Sequence, residues 1–257
     1  MKEPGKKKTK ILKIILIAIL CYILFAVLCF VVFIVAGNCG GAYEIQESGY
    51  FKYLTDRDDE VAIIGFTPSG QEQETLEIPR KIDGKPVKYI GYRDYDNSGL
   101  MAAQYYRLES ENLKKLYVYD NIYYIEEDAF ADIPEVCLMW CSNTSEVFSH
   151  SDISDFTRIF VYEPVYESLG EKEPSIFAIA NIVFMNNYSD EVNGGYYRLD
   201  NVEEDEKIPE PPDPEREGYE FTGWYTESEC ENLWSFNESP VIEEGEEFRL
   251  YAGWHKS

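Results

Sequence analysis

From Ile14 to Ala36 the chain runs for 23 residues without a charged side chain, and this run restricts the fold more than any other feature. A helix of that length spans roughly 35 Å at about 1.5 Å per residue, enough to cross a hydrocarbon core of about 30 Å. The segment before it, MKEPGKKKTKILK, carries six Lys and one Glu. Lysines that flank an apolar run stay on the cytoplasmic side, which puts the rest of the chain outside the membrane. The expected division is a basic cytoplasmic tail over 1–13, a transmembrane helix over 14–37 that binds the lipid bilayer, and an extracytoplasmic remainder. A cleavable signal has an apolar region of roughly 7 to 15 residues, so the longer run favours a retained anchor, with cleavage near Gly37 as the alternative.

The charge of the remainder excludes one class of partner. The whole chain has a formal charge of -25, and setting aside the basic tail leaves 17 Lys and Arg against 47 Asp and Glu, a net of -30. Such a surface repels phosphate backbones and anionic headgroups, so no nucleic acid is expected as a partner. It also keeps the exterior soluble.

Six cysteines and two histidines do not assemble a metal site with credible spacing, and no cofactor is assigned. Cys21 and Cys29 fall in the apolar run. Cys137 and Cys141, in CLMWC, either bridge in an oxidising exterior or remain two buried thiols. The acidic stretches Asp56–Glu60 and Asp94–Gly99 lack the bidentate Glu of a calcium loop and read as solvated turns. No nucleophile elbow, phosphate loop or dinucleotide fingerprint is present, so no catalytic residue is assigned.

Beyond the membrane, residues 43–66 alternate and are rich in aromatic and β-branched side chains, the pattern of strands joined by the turn TDRDDE. A periodic zone follows. TLEIPRKIDGKPVKYIG and NLKKLYVYDNIYYIEEDAFADIPEV share a short apolar strand, a turn and a second apolar pair ending in Ile. Repetition of this kind predicts stacked turns whose apolar residues (Leu76, Ile78, Val87, Ile90, Leu116, Val118, Ile122 and Ile125) form one ladder core. Residues 164–175, acidic and turn-rich, read as a linker. The last 75 residues give a strand, an NGG hairpin, a proline-rich crossing, GYEFTGWYT and FRLYAGW. In GYEFTGWYT, Gly223 is expected to mark a bulge that turns Trp224 inward, which makes the rings core rather than a ligand platform.

Two resemblances follow from these motifs. Ile82, Gly84, Pro86, Val87, Ile90, Gly91, Ile125, Ala129 and Phe130 match the pattern of BspA-like leucine-rich repeats, and this resemblance covers about 61–162. It breaks after Gly91, where YRDYDNSGLMAAQYYRLESE replaces the usual short turn. Asn193, Gly194, Gly195, Pro211, Pro214, Gly218, Tyr219, Phe221, Gly223, Trp224, Tyr225, Trp234, Phe236, Leu250, Tyr251 and Trp254 fall in order on the Listeria-Bacteroides repeat, over about 180–254. The fold class implied is mainly β with a single N-terminal transmembrane helix. A short irregular leucine-rich-repeat solenoid over 43–163 precedes a small β-grasp-like module over 176–257.

Both families are bacterial surface proteins, so the resemblance implies non-enzymatic binding or adhesion through an extracellular protein or glycan. The alternative is a structural spacer or assembly subunit of a cell-envelope complex. The candidate contact residues are Tyr105, Tyr106, Tyr117, Tyr119, Tyr123 and Tyr124 on the solenoid, with Tyr225 and Tyr251 on the module. Their type is favoured at interfaces, although alternate tyrosines could equally serve to cover the ladder.

Overall fold

The structure is a computed structural model and describes residues 44–94, 104–126, 129–130, 133–139, 157–169, 177–188, 195–242 and 245–257. The expected transmembrane segment, 14–37, lies outside the described residues. Among those described, no helix is long and apolar enough to cross a membrane. Residues Ile45–Ser257 form one unit by contact, and the account below concerns that unit.

The unit is mainly β and is built on three sheets. The first begins with β1 (Gln46–Ser48), β2 (Phe51–Thr55) and β3 (Val61–Phe66), which pair antiparallel in sequence. In the turn between β2 and β3, the Asp56 carboxylate accepts the backbone N–H groups of Asp58 and Glu60, so this acidic run closes on itself as a turn. A single helical turn, α1 (Pro68–Gln71), follows, with Thr67 as its cap and Pro at its start.

From here the chain alternates between two sheets. β4 (Thr75–Glu77) enters the second sheet. β5 (Lys81–Ile82) and β6 (Lys85–Ile90) form a hairpin through the left-handed pair Asp83 and Gly84, and β6 lies parallel to β3 in the first sheet. The insertion carries a two-stranded hairpin, β7 (Tyr92–Asp94) with β8 (Gln104–Tyr106). β9 (Lys115–Tyr119) returns to the second sheet, β10 (Tyr124–Ile125) to the first, and β11 (Glu135–Met139) to the second. β12 (Arg158–Val161) and β13 (Phe177–Ile179) extend the second sheet alone, giving the order β13-β12-β11-β9-β4 with every pair parallel.

All eight apolar residues expected in the ladder core are buried. They join Val61, Ile63, Val136, Leu138, Ile159 and Val161 in one cluster between the first and second sheets. Ala129 and Phe130 are buried in that cluster too.

The residues alternating with these on the second sheet are buried as well. Tyr117, Cys137 and Phe160 stand side by side in register, between the rows Leu116, Val136, Ile159 and Val118, Leu138, Val161. A parallel sheet with both faces covered reads as near-continuous apolar runs, and VCLM is such a run. The cover on the far side comes from the C-terminal module.

That module is a four-stranded sheet of β14 (Ile182–Met185), β15 (Tyr196–Asp200), β16 (Tyr219–Tyr225) and β17 (Phe248–Lys256), in the order β15-β14-β17-β16 with the central pair parallel. One of its faces carries a core of its own: Ile182, Phe184, Val202, Ile208, Trp224, Leu250 and Ala252, with Phe221, Trp234, Phe236 and Trp254 packed against them. Trp224 is edge-on to Phe184 at 4.9 Å and to Phe221 at 5.3 Å.

The bulge that sets this arrangement lies where the sequence puts it, between Phe221 and Gly223, whose φ of 133° few side-chain-bearing residues adopt. It lets Phe221 and Trp224 face the same core.

Residues 164–169, expected within a linker, belong instead to α2 (Glu163–Leu169). Val165 is buried in the main core, and Tyr166 and Leu169 pack on it. The apolar run 177–184 divides at Ala180: Phe177–Ile179 completes the parallel sheet and Ile182–Met185 starts the module. Val183 and Leu199 of the module sit in the same core cluster as the parallel sheet. The repeated region and the module thus share one core.

Candidate functional site

Two features of the unit carry more chemistry than its packing needs. One is the polar seam between the parallel sheet and the module, and the other is the set of tyrosines facing solvent around β6 and β10.

The seam is made by β15 lying against β9 and β11. Lys115 donates from Nζ to Asp200 Oδ1 at 2.7 Å and to the Asn201 carbonyl at 2.6 Å. Glu135, opposite Lys115 on the neighbouring strand, approaches the same Nζ to 3.6 Å. The Tyr117 hydroxyl donates to Asp200 Oδ2 at 2.6 Å. Arg198 lays its guanidinium over the Tyr117 ring, 3.8 Å from the centroid, and donates to Glu77 at 3.3 Å and to the Tyr119 hydroxyl at 3.4 Å.

The carboxylate of Asp200 is 1% exposed and the side chain of Lys115 12%. Groups this far from water interact strongly because little solvent screens them. Burial opposes the charge on Lys115, yet the Asp200 carboxylate outweighs it and the ammonium is held above its ordinary pKa. Glu135 is raised, chiefly by burial. Burial also pushes up the Tyr117 phenol and the Cys137 thiol, in both cases reinforced by Asp200. Cys137 is a free thiol at the centre of this sheet.

The eight tyrosines singled out from the sequence fall in different places. Tyr117 faces inward at 2% exposure, bonded to Asp200 and covered by Arg198, so it presents no surface to a partner. The reason is the module: it covers the face that a free-standing ladder would expose. Tyr119, at the edge of that seam, is half-buried beneath Arg80, whose guanidinium lies 4.7 Å from its ring. Tyr123 is 73% exposed, the most open of those whose side chains are described. Its ring meets that of Tyr89 edge-on at 6.4 Å, and its N–H donates to the Lys88 carbonyl at 2.7 Å. Tyr124 is half-buried and pairs with Tyr89 across the strands.

Tyr106 packs on Leu54, Ala62 and Ile64 beside Tyr92. Tyr105 pairs with Arg93 in the hairpin, and its side chain lies outside what is described. Tyr225 and Tyr251 face each other across β16 and β17, both half-buried, and Tyr225 spreads over Gly253.

Sequence reasoning missed the seam entirely. Arg198 and Asp200 stand in YYRLD, an unremarkable hairpin strand, and their partners lie about 80 residues or more away in the chain. The available signal was the pairing of unlike residues on one strand face, Lys115, Tyr117 and Tyr119, which a solvated face does not need.

Among the described residues no group of His, Cys, Asp and Glu is placed to hold a metal ion. Residues 184–253 match the family model of the Listeria-Bacteroides repeat domain. A search of the curated proteins found no match to the chain. The C-terminal module is therefore a Listeria-Bacteroides repeat, one packed against a parallel β region that precedes it.

Proposed function

We propose that the chain is a membrane-anchored, extracytoplasmic binding protein of a bacterial surface, non-catalytic, acting through protein or glycan contacts. The charge-free run over 14–36 supports the anchor, and the Listeria-Bacteroides repeat supports the surface setting by analogy. The alternation of strands between two sheets over 61–162 is what supports a BspA-like reading of the preceding region. A fold names no ligand, so the contact surface is argued from its own geometry.

The observation that carries the binding reading is Tyr123. It offers a large, rigid, half-polar ring to solvent at 73% exposure, while a backbone bond and the Tyr89 ring fix its position. Arg80 reaches from the neighbouring turn to cover the Tyr119 ring and to pair with Asp120 at 2.5 Å, close in sequence to Tyr123. The test is saturable adhesion of cells displaying the full chain to glycan and protein arrays. Tyr123→Ala should weaken adhesion about tenfold or more, as for a central contact residue. Adhesion identical in wild type and variant refutes the assignment of this surface.

The packed seam favours one further reading, a rigid spacer in an envelope assembly. A continuous core from Phe51 to Leu199 transmits position better than two beads on a linker. Co-purification of envelope proteins that persists in Tyr123→Ala, with no adhesion to any array, would select the spacer.

A further inference from the structure

We propose that Lys115 and Asp200 condense to an intramolecular amide bond, a covalent staple between the parallel sheet and the module, with Glu135 carrying the proton and Tyr117 polarising the carboxyl group. The inference does not depend on the binding reading.

Four observations converge. The amine and the carboxyl group are in contact at 2.7 Å, the separation from which an intramolecular reaction starts with its entropy cost already met by the fold. The pair is enclosed, with Asp200 at 1% exposure and Lys115 at 12%, so water neither competes as a nucleophile nor stabilises the separated charges. A third ionisable group, Glu135, stands 3.6 Å from the attacking nitrogen, near enough to take its proton after a small side-chain rotation. The fourth is the Tyr117 hydroxyl, which donates at 2.6 Å to Asp200 Oδ2, the oxygen on the far side from the amine.

The step balances without an oxidant or a cofactor. The ion pair is the resting state, and the reaction passes through its minor tautomer, in which Lys115 has given one proton to Asp200 Oδ1 and a neutral amine faces a neutral carboxylic acid. Lys115 Nζ adds to Asp200 Cγ, and negative charge grows on Oδ2, where the Tyr117 O–H already points. Glu135 accepts the proton from Nζ and returns it to Oδ1. The Cγ–Oδ1 bond breaks, water leaves, and the Nζ–Cγ bond remains with Oδ2 as the amide oxygen. Burial raises Glu135, which makes its carboxylate a better proton acceptor than a solvated one.

Such a bond has a clear structural use. It would join β9 to β15 across the seam in a unit where Cys137 and Cys230 are free thiols. Arg198 would keep Glu77 and the Tyr117 ring as partners after both charges of the pair are lost.

The test is mass spectrometry of the full chain after incubation at neutral pH and denaturation. The expected mass is lower than that of the sequence by one water. A tryptic digest should contain residues 199–207 joined to a peptide that begins at Lys115 and is uncut after it. Asp200→Asn should still link but lose one ammonia in place of water, a signature that a purely structural ion pair cannot give. Glu135→Gln should fold and remain unlinked at the full sequence mass. A wild-type chain at full mass, cleaved after Lys115 and free of the joined peptide, overturns the proposal and leaves an ion pair only. A link that forms equally fast in Glu135→Gln overturns the role given to that residue.

Discussion

Tyr117 and Tyr123 look equivalent in the sequence, and their replacement by Ala separates the packed account from a free-standing ladder. Tyr117 is buried to 2% exposure while Tyr123 is 73% exposed. A fully buried aromatic ring removes roughly 150 to 250 Å2 from water, which at about 25 cal/mol per Å2 is an upper bound of about 4 to 6 kcal/mol. The hydroxyl bond to the Asp200 carboxylate adds about 1.5 to 3 kcal/mol on its own scale. These terms overlap, because Arg198 and Asp200 relax together once the ring is gone. We therefore expect Tyr117→Ala to cost on the order of 4 kcal/mol and Tyr117→Phe about 2 kcal/mol. Tyr123→Ala should stay within about 0.5 kcal/mol.

The assay is urea unfolding followed by tryptophan emission. Three of the four Trp residues, at 224, 234 and 254, lie in the module, whereas Tyr117 lies in the parallel sheet. A shift of the emission midpoint in Tyr117→Ala therefore reports coupling across the seam as well as local loss of packing. Each variant is compared in the Lys115→Arg background too, so that a covalent link acting through the unfolded chain does not mask the result. A Tyr117→Ala midpoint that matches wild type, or a Tyr123→Ala loss as large as that of Tyr117→Ala, would refute the packing described for the second sheet.

Two further outcomes follow from local geometry. A methyl group on Gly70 would meet the Tyr50 carbonyl oxygen at 2.3 Å, a backbone atom that already accepts the Thr67 N–H, so Gly70→Ala should destabilise by about 1 to 3 kcal/mol. Gly65→Ala, with open space at the same atom, should be neutral or gain up to about 1 kcal/mol in the same melts, and equal losses at both sites would contradict the fit around α1. Glu227 accepts from the Thr226 hydroxyl, the Asn232 N–H and side chain, and the Glu231 N–H, bonds that hold its carboxyl group down at about 2. Because its folded pKa is depressed, whatever it adds to stability is present above the unfolded value of about 4.5 and lost as pH falls through about 2. Amide shifts of Glu231 and Asn232 should accordingly change with a midpoint near the lower value, and a midpoint near 4.5 would show that the loop does not hold the carboxylate.

What the sequence made legible was whatever depends on near neighbours or on a repeated period. The ladder residues from Leu76 to Ile125 announce themselves by spacing, and each is buried. Gly223 betrays a bulge because Phe221 and Trp224, three apart on a strand, can share one face only if a residue is added between them. The failures have one cause, which is that the second sheet is covered twice. A ladder with one free face predicts Tyr117 outside and a linker over 164–175. The module instead lies on that face, so Tyr117 turns into core and residues 164–169 of the expected linker fall in α2, with Val165 buried. Nothing local in YYRLD marks Arg198 and Asp200 as partners of Glu77, Tyr117 and Lys115, because complementarity across a seam is a property of two distant strands read together. Beside the unlike residues Lys115, Tyr117 and Tyr119 on one strand face, the continuous apolar run VCLM was a second local sign, since a strand with a solvated face alternates and this one does not. The same double burial that hid the seam is what brings an amine and a carboxyl group together out of reach of water, so the part of the structure least visible in the sequence is the part where chemistry can occur.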